Sequence, residues 1–555
     1  MSRNTTTWVV SIPQSSGVEI NAYLNVDNKP IRQQQKLKTL KEYIRKHPKG
    51  WKKRLELAQM LCIQGSWEEA IAQYSLVLKQ QPQLINVQLT LGKILHCMGR
   101  EEEAIKLYQK GLNSSNNLAS QKHLQGLIEI TNRKYHQAAI EFESAASLEP
   151  SNIAHWNALA KTQIALEAPH KALEALSAVS LNDSFEATNS TKFITQFIHT
   201  HDALLQLGDL EAAQKSLQQA YLLTPEDIQV LHRMADLRCR LKLVNGKPGK
   251  HTKQIIRDAL KIAPKAAEVY NSLSYYYIFR GEWEQGISIL EKFIAEHSYN
   301  PLGWYYYAIC LFHTGKNRTA AEAILQAYKL YPQDCEIYRG LCEILPASGQ
   351  VNLLPEIIHK MLNLFSDRWS VWTIAGKVLV ENFQQTQKGC TLSAKAIELQ
   401  PCLADTWFHH GRVLVLAGEY HLAIENLKQG WLKLSIADDC INSTSVSQIS
   451  VDCCILNSDA IASIPQSIFA AFWLGKSYQQ LNDNINSDRW WKIALNYSHQ
   501  LSRFDATNAY YWQGRIFTEL GNTKASYIAY QKACSGQLLY PARQDAELAI
   551  SEYKK

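Results

Sequence analysis

The sequence has no long apolar run and little that marks an exported or metal-binding protein. Its 555 residues contain no stretch of the roughly 18 to 20 apolar residues that a membrane-spanning helix needs. The first residues lack the basic start and apolar core of a secretory signal. We therefore expect a cytoplasmic protein whose 12 cysteines are reduced.

The sequence also lacks the usual motifs for metal binding and catalysis. No Cys-x-x-Cys occurs, and the adjacent pair Cys453 and Cys454 has no histidine nearby, so neither a metal site nor a cofactor is expected. Phosphate-binding loops, Gly-x-Ser-x-Gly and His-Glu-x-x-His are missing. His410 occupies a repeat position that faces inward between the two helices of a unit, which indicates a packed side chain and not a catalytic one. We predict a protein without enzymatic activity.

Most of the chain carries no surplus of one charge. The formal net charge is +7, but residues 1–54 alone hold twelve Lys and Arg against three acidic residues, a balance of +9. The remaining residues therefore have a balance of −2. Because residues 55–555 are nearly neutral, we do not expect the chain to bind nucleic acid along its whole length.

The chain does contain a repeat with a period of 34 residues. Alanines recur at this interval at Ala70, Ala104, Ala138 and Ala172, each followed four residues later by Tyr, Phe or Leu. Turn glycines at Gly65, Gly99, Gly281, Gly315 and Gly349 follow the same spacing. A period of 34 is typical of two helices and a turn.

The pattern resembles the tetratricopeptide repeat. The residues that carry it are an aromatic residue after the turn, as at Trp67 and Trp283, a tryptophan early in the first helix, as at Trp156 and Trp304, and prolines such as Pro82 that close the second helix. The resemblance implies an all-α fold, a right-handed superhelical solenoid of about thirteen helix-turn-helix units.

We expect the chain to be organised around this solenoid. The predicted segments are a β-hairpin or extended segment (1–30), a basic amphipathic capping helix (31–50), about eleven units (51–435), a flexible Ser- and Cys-rich insertion (436–466), two last units (467–540) and a C-terminal capping helix (541–555). The hairpin is predicted from apolar residues that alternate along 18–26. The alternatives are that it packs on the first repeats or is disordered, which we favour, or that it adds strands to a partner's sheet.

Stacked units form a concave groove lined by the first helix of each unit. Aromatic and cationic side chains fall on that wall, and they are the types best suited to anchor a peptide. The predicted partner-binding residues are Tyr275, Phe279, Tyr305, Tyr306, Phe312, His313, Phe408, His409 and Arg412.

A second candidate surface is the basic stretch before the repeats. It comprises Arg32, Lys36, Lys38, Lys41, Arg45, Lys46, Lys49, Lys52, Lys53 and Arg54. These cations either keep a terminal helix solvated, which we favour, or attract an acidic protein, RNA or anionic lipid.

Together these features predict a non-enzymatic scaffold or adaptor that binds a protein or peptide partner in its concave groove, with the N-terminal hairpin as an additional contact. Nucleic acid would bind only through the basic stretch. The alternative is a sensor or inhibitory subunit that controls a separate effector enzyme such as a protease. An RNA-binding helical repeat is less favoured because the body of the chain is near neutral.

Overall fold

The computed structural model describes residues 30–63, 66–182, 190–207, 210–225, 227–240, 250–439, 464–503 and 505–553. Within these ranges every regular element is helical, with 28 α-helices and one short 3-10 turn at Val351–Leu353. The all-α prediction is confirmed. The predicted N-terminal hairpin lies outside the described residues.

Twenty-six of the helices form thirteen consecutive hairpins, which we number as units 1 to 13. The first helices of the units are α2 (Trp51–Ile63), α4 (Ile85–Cys97), α6 (Leu118–Thr131), α8 (Ile153–Ala165), α10 (Ser190–Leu207), α12 (Ile228–Arg240), α14 (Ala267–Ile278), α16 (Pro301–His313), α18 (Cys335–Ser348), α20 (Trp369–Phe383), α22 (Ala404–Ala417), α24 (Ile464–Gln480) and α26 (Ala506–Glu519). The second helices are α3 (Trp67–Gln80), α5 (Glu101–Ser114), α7 (Tyr135–Leu148), α9 (Pro169–Asn182), α11 (Leu210–Leu223), α13 (Lys250–Ile262), α15 (Trp283–Glu296), α17 (Asn317–Leu330), α19 (Leu354–Leu364), α21 (Thr386–Leu399), α23 (Tyr420–Asp439), α25 (Asn484–Leu501) and α27 (Thr523–Ser535).

Two further helices flank the stack, α1 (Pro30–Lys46) before it and α28 (Ala542–Tyr553) after it. The predicted limits of the insertion, 436 and 466, both fall inside helices, because α23 continues to Asp439 and α24 begins at Ile464. Ile464 is buried in the core of unit 12, which explains why the helix starts before the predicted boundary.

Each unit depends on a close approach of its two helices. Glycine in the first helix faces a large side chain in the second, as at Gly92 with Tyr108 and Gly126 with Phe142. A Cβ built on Gly126 would lie 2.7 Å from the Phe142 ring, well inside the distance at which carbon atoms attract. The same arrangement occurs at Gly411 with Leu427, Gly475 with Trp491 and Gly514 with Tyr530.

The units stack as two layers of helices. First helices of successive units pack against one another, as α14 does on α16 and α20 on α22, while second helices contact the first helix of the next unit, as α17 contacts α18. The first helices therefore form the inner wall of the solenoid, and the second helices form its outer layer.

The turn inside a unit requires a left-handed backbone conformation. Glycine occupies this position at Gly99, Gly281 and Gly315, with φ between 73° and 84°. Glu167 takes it in unit 4, with φ 56°. A non-glycine residue in this region costs about 1 kcal/mol or more and persists where its surroundings hold it.

The solenoid winds back on itself. The turn inside a unit therefore contacts the connection between two units that lie about six units further along the chain. We call this set of contacts the seam. Its contacts join Lys265 Nζ to Ser66 Oγ (3.4 Å), the Arg368 guanidinium to the Tyr135 ring (5.3 Å), Ser370 N–H to the Glu167 carboxylate (2.9 Å), Gln466 Nε2 to the Leu207 carbonyl (3.0 Å) and Trp283 Nε1 to Gln537 Oε1 (2.9 Å). The described part of the chain has no helix long and apolar enough to span a membrane.

Replacing Gly126 with alanine tests the close approach of the helices. Helix propensity alone would stabilise the variant by about 1 kcal/mol, whereas the contact with Phe142 predicts overpacking that lowers the free energy of unfolding by about 1–3 kcal/mol. Chemical unfolding followed by circular dichroism measures the difference. Ser147→Ala on the exposed side of α7 is the control, and a Gly126→Ala variant as stable as the wild type contradicts this account.

Candidate partner-binding groove

The structure places most of the predicted groove residues inside the protein. His313 and His409 are partly exposed. The buried ones are Tyr275, Phe279, Tyr305, Tyr306, Phe312, Phe408 and Arg412. The inner wall is therefore not the open aromatic surface that the sequence predicts.

Phe312 and Phe408 are the most deeply buried of these residues, each 1% exposed, and a role for them in partner contact stays a prediction. Phe312 packs edge-on against Tyr540, with ring centroids 5.1 Å apart. Phe408 lies against Gly430 in the second helix of its own unit, where a Cβ on the glycine would be 2.6 Å from the ring. The Phe408 ring is thus a core residue within its unit, whereas the Phe312 ring is covered by a residue from beyond unit 13.

Tyr275 and His313 come together on the inner wall of units 7 and 8. The Tyr275 hydroxyl lies 3.1 Å from His313 Nδ1, and its ring stacks on Phe279 at 5.8 Å. The structure thus brings three predicted residues into one cluster, whose accessible edge is His313. A role for this cluster in partner contact stays a prediction.

His409 lies in a second aromatic cluster, between Trp369 and Phe469, with ring centroids 5.6 and 5.4 Å away. Burial lowers the pKa of His409 to about 3, and the charges of Arg412 and Lys377 lower it further. The ring is therefore neutral at physiological pH. Its neighbour His410 lies 2.7 Å from Ser393 Oγ, between the first helix of unit 11 and the second helix of unit 10, as a packed histidine would.

The sequence analysis missed an array of ion pairs along the inner wall, which we call the ion-pair ladder. It consists of Arg233 with Asp202 (3.0 Å), Arg339 with Glu336 (3.1 Å), Lys377 with Glu381 (3.7 Å), Arg412 with Glu381 (3.6 Å) and Lys476 with Glu519 (2.9 Å). Charged residues spaced four apart in the first helices, as at Lys377 and Glu381, are the signal that would have revealed it.

Burial and pairing oppose each other within the ladder. Burial tends to lower the pKa of Arg339, but Glu336 and Glu167 outweigh it and raise that pKa above its ordinary value. For Lys377 burial prevails and lowers the pKa, although Glu381 opposes it. The ladder is thus partly desolvated, and its charges depend on their partners.

Glu167 joins the ladder to the seam. Its carboxylate accepts hydrogen bonds from the backbone N–H and the hydroxyl of Ser370, and it lies 3.3 Å from the Arg339 guanidinium. Glu167 stands in the turn position that glycine occupies elsewhere. These bonds across the seam hold a backbone conformation that would otherwise be strained.

Replacing Glu167 with glycine separates turn strain from seam bonding. Glycine relieves the left-handed strain but removes the bonds to Ser370 and Arg339, so we expect a loss of about 1–3 kcal/mol in the free energy of unfolding. Gln384 has the same φ of 56° but is exposed, and Gln384→Gly is expected to be neutral or stabilising. Thermal unfolding of both variants measures this, and a stabilised Glu167→Gly variant would show that the seam bonds contribute little.

Asp405 supplies a buried carboxyl beside the seam. Burial raises its pKa from the ordinary 3.8 to about 7, although a hydrogen bond with Gln466 opposes the shift. The folded protein therefore holds this proton more tightly than the unfolded chain does. Its contribution to stability falls as the pH rises from about 4 to about 7.

Asp405→Asn should remove that contribution to the pH dependence. Between pH 5 and pH 8 we expect the wild type to lose about 2–3 kcal/mol more of its unfolding free energy than the variant does. Urea unfolding of both proteins at the two pH values gives the comparison. Equal losses in the two proteins are the result that this interpretation cannot accommodate.

Part of the basic stretch holds α1 on the first unit. Lys36 and Lys53 both pair with Glu56, at 2.7 and 2.8 Å, and Lys41 pairs with Glu69 at 3.2 Å. Arg54 is buried and donates to Gln73 Oε1 and the Pro48 carbonyl. The exposed remainder is Lys38, Arg45, Lys46, Lys49 and Lys52, while the Arg32 side chain lies outside the described residues. Binding of an acidic partner there stays a prediction.

Comparison with known families agrees with this architecture. Sequence models described as tetratricopeptide repeat match residues 258–334 and 507–535. The chain contains tetratricopeptide repeats. The model of ChAPs (Chs5p-Arf1p-binding proteins) also matches this repeat protein, over residues 57–238. None of the curated proteins compared with it is similar in sequence.

Three solved structures are similar to this chain. They are the APC/C hetero-tetramer Cut9-Hcn1 (12% identity, 95% of this chain and 94% of that one, TM-score 0.38), Naa15/Naa10 bound to HypK-THB (14%, 93% and 93%, 0.34) and the human IFIT1 dimer with m7Gppp-AAAA (15%, 79% and 94%, 0.36).

Proposed function

We propose that this chain is a non-enzymatic scaffold that binds an extended segment of a protein partner along its inner wall. The tetratricopeptide repeats of the chain support a role in protein interaction. The match to a family described as binding proteins, over residues 57–238, agrees with it.

The ion-pair ladder is the observation that carries the proposal. Lys377, Lys476 and Glu519 are only partly covered, and Glu381 is exposed. These side chains offer donors and acceptors along three of the inner helices, α20, α24 and α26. An extended peptide presents backbone N–H and C=O groups along its whole length, so it can bond to such a wall with both types of group.

The pairing of charges within the ladder also bears on the class of partner. Each cation of the ladder has an acidic neighbour, and Glu381 serves both Lys377 and Arg412, so the positive charge of the wall is largely offset and attracts phosphates weakly. A polyanion would have to compete with these carboxylates. A polypeptide needs no such surplus, because charged side chains can bond to neutral backbone groups.

The test is a photo-crosslinking residue placed on the inner wall. We expect benzoylphenylalanine at Lys377, introduced into the full chain in its native source, to cross-link to a discrete partner that mass spectrometry identifies. The same residue at Glu425, exposed on α23, is the matched control. A catalytic chain among the products would indicate the regulatory-subunit role.

A charge variant completes this test. Glu381→Lys places a third cation between Lys377 and Arg412 and is expected to reduce the yield of the Lys377 cross-link at least severalfold, through repulsion and loss of an acceptor. Glu425→Lys is expected to leave the yield unchanged. Equal yields from the inner and outer positions would contradict binding along the inner wall.

A further inference from the structure

The segment that follows unit 13 leaves the stack and crosses to units 7 and 8. Trp283 Nε1 donates a hydrogen bond to Gln537 Oε1 at 2.9 Å, and the guanidinium of Arg543 lies 4.8 Å from the centre of the Trp283 ring. A Cβ on Gly281 would lie 3.0 Å from the Gln537 amide nitrogen. The turn of unit 7 thus receives a side chain from more than 250 residues away.

Tyr540 makes the matching contacts with unit 8. Its backbone N–H donates to the His313 carbonyl at 3.0 Å, and its hydroxyl accepts from Asn317 Nδ2 at 2.9 Å. Its ring packs edge-on against Phe312 and reaches over Gly315, whose Cβ position is 3.9 Å from the ring. Backbone, ring and hydroxyl are all engaged, as in the recognition of a bound peptide.

The conformation of the segment indicates that these contacts determine it. Gln537 has a left-handed backbone, with φ 64°, which a residue with a side chain rarely adopts. Glu167, at the other well-bonded part of the seam, shows the same feature. Such conformations persist where the surroundings hold them in place.

We propose that the turns of units 7 and 8 form a peptide-binding notch, and that the chain's own segment Gln537–Arg543 occupies it as a latch. The notch consists of Trp283, Phe312, the His313 carbonyl, Gly315 and Asn317. The latch holds the last unit on the middle of the solenoid and closes the seam at this end. Its consequence for partner access rests on the proposed function: with the latch closed, a partner segment reaches the inner wall from the ends of the superhelix.

The notch is tested with a peptide of residues 535–545 carrying a fluorophore. The full-length wild type is expected to bind it weakly, because the tethered segment competes at an effective concentration of about a millimolar. In the full-length Gln537→Ala, Tyr540→Ala variant the notch is vacant, and we expect binding at least roughly tenfold tighter by fluorescence anisotropy. The same peptide with alanine in place of its tyrosine should not bind.

Hydrogen exchange measures the latch without any peptide. Tyr540→Ala and Gln537→Gly are both expected to raise the exchange rate of the amides of residues 535–545 roughly tenfold, through loss of the side-chain contacts. Leu548→Ala, at an exposed position of α28, is the control for a general effect on the C-terminal helix. Unchanged exchange in both latch variants, with no peptide binding to the vacant notch, would overturn the proposal.

These readouts need no partner, so the latch can be correct even where the proposed function fails. If both are correct, Tyr540→Ala is expected to raise the yield of the Lys377 cross-link, whereas Glu381→Lys lowers it. A latch confirmed by peptide binding and exchange, without any cross-link at Lys377, would refute only binding along the inner wall.

Discussion

The architecture depends on the distance between the two helices of each unit. Glycine or alanine in the first helix lets the second approach until an aromatic or leucine side chain covers the small residue, as Phe142 covers Gly126. This distance sets the rotation from one unit to the next. Small rotations accumulate over thirteen units, so the packing of one hairpin decides where distant units meet.

The seam is the result of that accumulation. In a solenoid whose turns stay apart, each unit contacts only its neighbours and stability is close to a sum of local terms. Here Glu167 contacts Ser370 and Arg339, and Gln537 contacts Trp283. Contacts between such distant units couple them, so disturbance of one turn is expected to spread along the seam.

The units could be predicted from the sequence because their determinants are local. The 34-residue spacing of Ala70, Ala104 and Ala138 fixes two helices and a turn wherever it occurs. The seam could not be predicted from the sequence. It joins residues about 200 or more positions apart, and whether they meet depends on small rotations between units. In unit 4 the turn lacks glycine, and Glu167 in that turn bonds across the seam to Ser370 and Arg339.

The groove residues show the same limit. The repeat register puts Tyr275 and His313 on the first helices of neighbouring units, and the structure bonds them to each other. The position of Phe312 within its repeat could not predict the contact with Tyr540. That contact forms only because the superhelix closes and brings the segment after unit 13 next to unit 8. In the basic stretch, the sequence analysis grouped Lys36 and Arg54 with the cations that could bind a partner. The structure instead gives both side chains bonds that hold α1 and α2 in place.

Small-angle X-ray scattering of the full chain in dilute solution tests the closed superhelix most directly. The account predicts a single curve that matches a solenoid whose early and late units are in contact along the seam. A longer maximum dimension and a larger radius of gyration, fitted only by turns that stand apart, would contradict it.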